Sequence, residues 1–289
     1  LPFEPPHFGP GATVGGMVAA GLSGPARASV GAVRDYLLGV VLINGRAELL
    51  TFGGQVMKNV AGYDVSRLMA GAWGTLGLLT EVSLKVLPVA PAEATLRFEC
   101  NQADALRKLH AWGGQPLPLN ASCWVEDAGV GQLYVRLRGA VAAVDAACKS
   151  MGGTRLDNAT AAPDWQACRE QTLPWFAARL ARPGQALWRL SLPATAPVLA
   201  LPGGVSPLVE WHGALRWVQA PLAHGDVLRE AARAVGGSAS LFIADGAGGE
   251  RAGGQFDLKS AALEQIHARL KHSFDPAGIF NPGRMAPQW

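Results

Sequence analysis

The residues from Lys58 to Pro88 read KNVAGYDVSRLMAGAWGTLGLLTEVSLKVLP. The pattern predicts a helix followed by two strands, yet it also contains Gly62, Gly71, Gly74 and Gly77. Glycine inside a helix or strand costs roughly 0.5–1 kcal/mol relative to alanine. Four glycines so close together indicate a backbone that turns tightly, or one that a ligand approaches closely.

The elements around this stretch follow from its capping and turn residues. Thr13 is the expected N-cap of a small-residue helix over 13–22, and Asp64 is expected to cap a helix over 63–70. Asn44-Gly45 is a strong hairpin signal between two apolar runs. The expected strands are 36–43, 48–52, 75–79 and 81–87, with Pro88 ending the last one.

A different pattern begins at Ala94. Strand, helix, strand, strand, helix and strand follow one another up to residue 158, which is the ferredoxin-like order. After a helical connector around Asp164 and Trp165, the same order returns between 186 and 245, with short helical segments expected over 194–201 and 227–235. Two such units side by side predict one long antiparallel sheet with helices on one face, so that its other face is free to cover something.

Alternation along these strands separates polar from apolar side chains. In QLYVRLRG, residues 132–139, one face carries Gln132, Tyr134, Arg136 and Arg138. This polar side is expected to face a cleft or solvent, while the apolar side meets the helices. The same rule separates Arg189 and Ser191 from the apolar Trp188 and Leu190.

Composition excludes several classes of protein. The chain has 289 residues, of which 49% are apolar, and a formal net charge of only +3, with no basic run interleaved with aromatic residues. Nucleic-acid binding is therefore not expected. No run of about 18 apolar residues occurs, so no membrane span is predicted. The sequence does not begin with Met and enters a Pro-rich loop at once, which indicates that residues are missing upstream.

Cysteine and histidine spacing predicts no metal site. Cys100, Cys123, Cys148 and Cys168 form no CxxC pair, and the six histidines form no HExxH pair. Buried, reduced thiols are the expected state. Neither a disulfide scaffold nor an iron–sulfur cluster within this chain is predicted.

Several segments together carry a resemblance to a known family. The segments are GATVGGMVAAGLSG (11–24), VRDYLLGVVLINGRAELLTFGG (33–54), the opening stretch and FDPAGIFNPGRM (274–285). They resemble the vanillyl-alcohol-oxidase-type, or PCMH-type, FAD-linked oxidases. WRLSLP (188–193) and EWHGALRWV (210–218) narrow the resemblance to the FAD-binding subunits of bacterial glycolate oxidases.

The resemblance implies an α+β fold with a defined domain order. Residues 1–92 would be the C-terminal half of a PCMH-type FAD-binding domain, whose earlier half is missing. Residues 93–255 would be a cap domain whose long antiparallel sheet consists of the two βαββαβ units. Residues 256–289 would be a C-terminal helix and a tail that returns to the flavin site.

FAD is the cofactor that the resemblance implies. Backbone N–H groups without a Cβ nearby suit a pyrophosphate, which is expected of Gly15 and Gly16 at a helix start. The segment from Gly74 to Leu79 would follow the adenosine half, and Asn281 would lie near the flavin ring. The complete set of expected cofactor-binding residues is Thr13, Gly15, Gly16, Gly21, Gly74, Thr75, Gly77, Leu79 and Asn281. Judged from the residues alone, these glycines are turn and packing positions, and Gly62 and Gly71 are expected to be structural.

The implied reaction is oxidation of glycolate, a 2-hydroxy acid, to glyoxylate. An arginine would hold the carboxylate, because its planar fork binds carboxylates bidentately. The candidates, expected on the exposed face of the cap, are Arg136, Arg138, Arg189 and Arg216, each of which has an alternative structural or surface role. Arg189 is favoured because it interrupts an otherwise apolar strand. Tyr134 and His212 are the other catalytic candidates, and no general base is assigned.

One motif of the family's dehydrogenases is not matched. Their cap carries an HxGDGN-like histidine motif, and the nearest segment here is AHGD at 223–226. His224 and Asp226 are expected to cap the following helix. The mismatch leaves open a flavin-carrying subunit that does not itself oxidise substrate.

The implied partners are a FAD-linked catalytic subunit and an iron–sulfur subunit that receives the electrons. A cytoplasmic protein, peripheral at the inner membrane through its complex, is expected. Two alternatives remain open. One is a non-catalytic scaffold of the same complex, and the other is a FAD-linked oxidase that acts on a sugar or alditol.

Overall fold

The computed structural model describes residues 1–54, 62–179, 181–244, 256–257 and 260–288. Residues 58–61 of the opening stretch and the expected domain boundary at 255 lie outside the described residues. The chain forms two compact units, the first from Leu1–Gly24, Gly31–Leu87 and Ala252–Trp289. The second unit consists of Pro25–Val30 and Pro88–Arg251, so that a six-residue segment interrupts the first unit in sequence.

The helices are α1 (Val14–Ala20), α2 (Arg27–Val30), α3 (Val33–Tyr36), α4 (Val65–Met69), α5 (Gln102–Gly113), α6 (Val141–Met151), α7 (Asn158–Glu170), α8 (Pro174–Ala177), α9 (Gly225–Ala234) and α10 (Ala261–Phe274). The strands are β1 (Leu37–Ile43), β2 (Leu49–Gly53), β3 (Leu78–Leu84), β4 (Ala92–Glu99), β5 (Leu119–Asp127), β6 (Val130–Gly139), β7 (Thr154–Leu156), β8 (Ala186–Ser191), β9 (Leu208–Glu210), β10 (Leu215–Ala220) and β11 (Ser238–Ile243).

The first unit contains a three-stranded antiparallel sheet in the order β2-β1-β3. The predicted strands 75–79 and 81–87 are one strand, β3. The register shifts between Val41 and Leu42, whose partners are Glu81 and Leu79, so Thr80 is the extra residue of a bulge. A bulge leaves the inserted residue outside the ladder, and the Thr80 hydroxyl donates to the Val41 carbonyl at 3.1 Å instead.

The second unit contains an eight-stranded sheet in the order β11-β8-β10-β9-β5-β6-β4-β7. The first βαββαβ repeat forms as the sequence predicts, and the second forms its four strands and the helix α9 but no helix between β8 and β9. They join through a short antiparallel pairing in which Cys123 and Trp124 on β5 face Glu210 and Val209 on β9. The long antiparallel sheet of two repeats is confirmed.

Helices cover both faces of this sheet, not one. Helices α5, α6 and α9 place Leu109, Val144 and Leu228 against its first face. On the second face, Trp165 of α7 and Phe176 of α8 pack into a core with sheet residues. The prediction that the second face stays free is therefore wrong at this place, because the connector helix has an apolar side of its own.

The expected helical segment over 194–201 is not a helix. Residues 193–201 are irregular, and only a short 3-10 turn follows at Pro202–Gly204. Pro193, Pro197 and Pro202 lack a backbone donor, which prevents a continuous helix. The carbonyls of Ala196 and Pro197 instead accept hydrogen bonds from the Arg216 guanidinium.

Candidate functional site

Thr13 begins α1, as the sequence predicts. Its side chain accepts a hydrogen bond of 3.0 Å from the Gly16 N–H, which is a standard N-cap interaction. Residues 11–14 are exposed, and the first turn of α1 carries no acidic side chain. A Cβ at Gly15 would meet the Leu79 carbonyl oxygen only at 3.7 Å, so Gly15 lies beside β3 without crowding.

Two of the glycines expected at the cofactor lie against the protein's own backbone. Gly21 is the left-handed C-cap of α1, with φ 64°, and a Cβ there would approach Gly71 Cα to 2.7 Å. At Gly77, with φ 157°, a Cβ would lie 2.6 Å from the Ile43 carbonyl oxygen. Close packing therefore explains Gly21 and Gly77 without a ligand, and the left-handed φ of 85° explains Gly71, where a Cβ would meet nothing within 4 Å.

Gly74 and Asn281 lie together, although the resemblance implies different parts of the cofactor for them, the adenosine half and the flavin ring. The Asn281 side-chain amide donates to the Trp73 carbonyl at 2.8 Å, and a Cβ on Gly74 would lie 2.8 Å from the same amide nitrogen. Gly74 has φ 66°, which glycine adopts without strain, and Asn281 has φ 43°, which is uncommon for a residue with a side chain. Thr75 is buried, and its hydroxyl donates to the Ala72 carbonyl at 2.7 Å.

A buried ion pair that the sequence analysis missed holds this region together. Lys271 and Asp275 are 6% and 2% exposed and form a salt bridge between α10 and its C-cap. The Lys271 ammonium also donates to the carbonyls of Thr75 at 2.8 Å and Phe280 at 2.7 Å. The pair thereby joins the glycine-rich segment to the tail that carries Asn281.

Asp275 also orders the tail itself. Its carboxylate accepts hydrogen bonds from the backbone N–H groups of Ile279 and Phe280, at 3.1 and 2.8 Å. Burial opposes its charge, but the hydrogen bonds from Lys271 and these two amides outweigh burial and lower the pKa of Asp275. The i,i+4 spacing of Lys271 and Asp275 at a helix end was the sequence signal, although spacing does not report burial.

In the second unit, Arg189 lies on β8, and its guanidinium lies beside the ring of Trp211. The Arg189 guanidinium is 5.1 Å from the Trp211 ring centroid, and the Arg27 guanidinium is 4.6 Å from it. Burial and then the charge of Arg27 lower the pKa of Arg189 to about 10, against the opposing effect of Glu210. Arg189 remains charged at neutral pH and remains a carboxylate candidate.

His212 is held between two serine hydroxyls. Its Nε2 is 3.0 Å from Ser29 Oγ, and its Nδ1 is 3.0 Å from Ser122 Oγ, which also accepts the His212 backbone N–H at 2.9 Å. Burial lowers the pKa of His212 to about 4, so the ring is neutral at pH 7. A base with so low a pKa is poorly matched to proton abstraction at neutral pH.

The other arginine candidates have structural partners. Arg136 is buried, stacks on Trp165 at 4.9 Å and donates to Asn120 at 2.7 Å. Arg138 donates to Glu93 at 2.7 Å. Arg216 is fully buried on the first face of the sheet, so its expected place on an open face is wrong. The reason is register, since Leu215 and Trp217 occupy the second face.

Tyr134 lines a cavity of about 510 Å³ under α7 and α8. Burial first, and then nearby groups that include Asp164 and Asp127, raise the pKa of the Tyr134 hydroxyl, so this hydroxyl is neutral at pH 7. Trp165, Trp175 and the buried thiol of Cys168 also line this cavity. Tyr134 and Arg189 thus lie in different surroundings on the second face.

His224 occupies the N-cap position of α9, but its side chain makes no capping hydrogen bond. Asp226 lies in the first turn and pairs with Arg229 instead. The expectation that His224 and Asp226 cap the helix is therefore wrong for the side chains. The backbone of His224, with ψ near 3°, keeps its ring away from the first N–H groups.

Among the residues that the structure describes, no group of three or more His, Cys, Asp or Glu residues could hold a metal ion. No helix in the described part of the chain is long and apolar enough to cross a membrane.

Solved structures share this fold. The chain matches an alkyldihydroxyacetonephosphate synthase with a TM-score of 0.62 at 15% identity, over 96% of this chain and 59% of the synthase chain. A second structure of that synthase gives a TM-score of 0.61. The fold class, a PCMH-type FAD-binding domain followed by a cap with a long antiparallel sheet, is confirmed.

Sequence comparison identifies relatives of known name, although no family model matches the chain. The chain is 35% identical over 93 residues to glycolate oxidase subunit GlcD of Bacillus subtilis, about 20% of that protein. It is 38% identical over 85 residues to a D-lactate dehydrogenase of Anaerostipes hadrus. It is also 47% identical over 285 residues to glycolate oxidase subunit GlcE of Escherichia coli, covering 99% of this chain and 75% of that subunit. Given that identity and coverage, the chain belongs to the family of the glycolate oxidase subunit GlcE.

Proposed function

We propose that this chain is a FAD-binding subunit of a glycolate oxidase, an oxidoreductase acting on a CH–OH group. The observation that carries the proposal is the 47% identity to subunit GlcE over 99% of the chain. We assign FAD to the first unit and propose the second unit as the cap. The glycolate oxidase and D-lactate dehydrogenase relatives support a 2-hydroxy acid as the substrate.

The residues of the first unit fit a dinucleotide in part. The exposed backbone before Gly15 carries no neighbouring acid in the first turn of α1, which suits a pyrophosphate. Gly15, Gly74, Leu79 and Asn281 are the residues that we propose to hold FAD. Thr13, Gly16, Gly21, Thr75 and Gly77 would support them through the cap, turn and backbone contacts described above. The flavin, when bound, supplies the acceptor for the hydride of the substrate.

Flavin absorption of the purified chain tests this assignment. We would record the visible spectrum and the FAD dissociation constant of the chain as given, and again with any upstream residues that its gene encodes. Flavin in both forms would support a complete site here, and flavin in the longer form alone would assign part of the site to the upstream residues. A folded longer form without flavin would contradict the proposal.

A variant sharpens this test. Gly15→Glu places a carboxylate in the first turn of α1, where we expect FAD affinity to fall more than about tenfold through charge repulsion. Gly113→Glu is the matched control, because a Cβ at Gly113 meets nothing within 4 Å at the end of α5. Equal FAD affinity in both variants, with circular dichroism unchanged, would argue against pyrophosphate binding at α1.

The second part of the proposal concerns the partner subunits and the route by which electrons leave the flavin. We propose that electrons leave through an iron–sulfur subunit, and that a catalytic flavoprotein subunit completes the complex, which lies in the cytoplasm at the inner membrane. The subunit names GlcE and GlcD among the relatives support a multi-subunit enzyme. Co-purification of the assembled complex, followed by its iron content and its flavin stoichiometry, tests this assignment.

A non-catalytic role is the second candidate, favoured by the residues at 223–226. AHGD replaces the HxGDGN-like motif, and His224 begins a helix instead. In that case the subunit would assemble the complex without oxidising glycolate. Anaerobic mixing with glycolate distinguishes the two, because flavin of this subunit would be reduced only under the first proposal. Turnover of a sugar or alditol in place of glycolate would indicate a different FAD-linked oxidase.

A further inference from the structure

The cavity of about 510 Å³ that Tyr134 lines lies wholly within the second unit, between the sheet and the helices α7 and α8. Its floor consists of buried residues such as Thr95, Cys123 and Trp165. The exposed residues Asp127 and Asp164 mark its mouth. Sites for small organic molecules typically have volumes of about 300–1,000 Å³. We call this space the α7 cavity.

Two tryptophans form fixed walls of the α7 cavity. Trp165 Nε1 donates a hydrogen bond of 2.9 Å to Thr95 Oγ1, which holds the indole in one orientation. Trp175 packs edge-on against Phe176, with the ring centroids 5.2 Å apart. Because both rings are held by other parts of the protein, the apolar walls exist before a ligand arrives, which reduces the entropic cost of binding.

The Tyr134 hydroxyl is an unused hydrogen-bonding group in the α7 cavity. Tyr134 is half-buried on β6. In the part of the chain that the structure describes, its hydroxyl has no hydrogen-bond partner. A tyrosine hydroxyl can both donate and accept, and it usually finds a partner when it is buried. The Tyr134 hydroxyl is therefore available to the polar group of a ligand.

The charges at the mouth of the α7 cavity favour a cation. Among the described residues, none of the lining carboxylates of Glu126, Asp127 and Asp164 forms an ion pair or accepts a hydrogen bond. Against them stand Arg182 in the lining and Arg97 on the neighbouring strand β4. Three carboxylates still exceed two guanidiniums, so the mouth attracts cations and repels anions.

We propose that the α7 cavity binds an organic cation with an apolar body, of the arylalkylamine class. The apolar body would lie against Trp165 and Trp175, and the ammonium would donate to the Tyr134 hydroxyl and to the carboxylates at the mouth. An ammonium has donors and no acceptor, which suits carboxylates as partners. Neither Arg189 nor His212 lines the cavity. Such a ligand requires neither FAD nor a 2-hydroxy acid, so the site goes beyond the proposed function.

Titration calorimetry of the full chain at pH 7 tests this site with three probes that share one skeleton: 2-phenylethylamine, 2-phenylethanol and 3-phenylpropionate. We expect the amine to bind most tightly and the propionate least, because the ring is common and the charge differs. Asp164→Asn should weaken the amine about two- to fivefold, as loss of one exposed charge pair does, and leave the alcohol unchanged. Tyr134→Phe should weaken the amine and the alcohol about two- to tenfold, since it removes only the hydroxyl.

Glu230→Gln is the matched control, because Glu230 is an exposed acid on α9, which packs against the first face of the sheet. The affinity of this variant for the amine should equal that of the unaltered chain. Three results would each overturn the inference: no amine binding by the folded chain, propionate binding as tight as amine binding, or equal losses in the Asp164 and Glu230 variants. Circular dichroism checks that each variant is folded, and the flavin spectrum of the same samples tests the proposed function independently.

Discussion

At the scale of single residues, the segment Trp211–Gly213 stores backbone strain. Trp211, His212 and Gly213 have φ of 53°, 55° and 101°, and two of the three carry side chains. A residue with a side chain in this conformation costs on the order of 1–3 kcal/mol, and it persists only where the surrounding structure holds it. Here the fully buried Ser122 binds both the backbone and the ring of His212. Strain of this kind concentrates at functional sites, and the Trp211 ring of this turn lies 5.1 Å from the Arg189 guanidinium.

His212 should make stability depend on pH. Burial lowers its pKa to about 4, whereas the unfolded chain has a value of about 6.5. Protonation therefore favours the unfolded state. The contribution of His212 to the free energy of unfolding is fully present above about pH 6.5. It falls by on the order of 3 kcal/mol as pH drops towards 4. Urea unfolding between pH 4 and 7 should show this slope.

His212→Gln should flatten this slope, while His110→Gln on the exposed side of α5 should keep it. An unchanged slope in the His212 variant would mean that other groups carry the titration.

Lys271 and Asp275 should be the most sensitive charged residues of the first unit. Lys271→Met leaves a buried carboxylate without its partner, which typically costs 3–5 kcal/mol. Because the folded pKa of Asp275 is lowered, its contribution is present above about pH 4 and lost as pH falls through the folded value. Chemical unfolding at pH 7 and at pH 3 should show the penalty shrinking with acid.

Arg229→Met is the control for Lys271→Met. It breaks a pair whose acid, Asp226, is 99% exposed, and it should cost less than about 1 kcal/mol from charge alone. Similar losses in the two variants would contradict the role given to the buried pair.

At the scale of elements, close packing and cofactor contact are competing reasons for Gly77. A Cβ there would lie 2.6 Å from the Ile43 carbonyl on β1, so Gly77→Ala should destabilise the first unit by about 2 kcal/mol or more. Gly62→Ala is the control, because Gly62 also has a positive φ, 76°, but a Cβ there would meet nothing within 4 Å. This substitution should lower the free energy of unfolding by about 1 kcal/mol. Thermal unfolding measures both.

If Gly77→Ala is as stable as the unaltered chain but binds FAD weakly, the cofactor is the reason for this glycine. Backbone conformation or backbone packing alone thus accounts for Gly21, Gly71 and Gly77, whereas a Cβ on Gly74 would meet the Asn281 amide.

Elements with a local signal were predictable from the sequence. Thr13 and Asp64 cap their helices as expected, because a capping side chain needs only a donor three residues away. The strands of the two repeats were also predictable, since alternation and turn residues are local, but the helix expected over 194–201 does not form. The bulge at Thr80 was not, because a register shift depends on the partner strand.

At the scale of the whole molecule, the order of the strands in the large sheet brings together residues that are distant in sequence. The two repeats join through a pairing of two residues on β5 with two on β9. That pairing brings Glu210 beside Cys123, and α7 then covers both from the second face. The strand order of the predicted repeats was confirmed, but the prediction of one uncovered face was wrong, because it ignored the connector between them.

The sequence by itself determined the fold class, the repeat and the family, because caps, turns, alternation and family motifs are all local patterns. Only the tertiary structure decided the surroundings of single residues. It placed Arg216 in a core, held His212 neutral between two serines, buried Lys271 with Asp275, and set Arg189 opposite Ser240. The physical reason is that burial, register and charge balance depend on which distant strands meet, and no local pattern reports that.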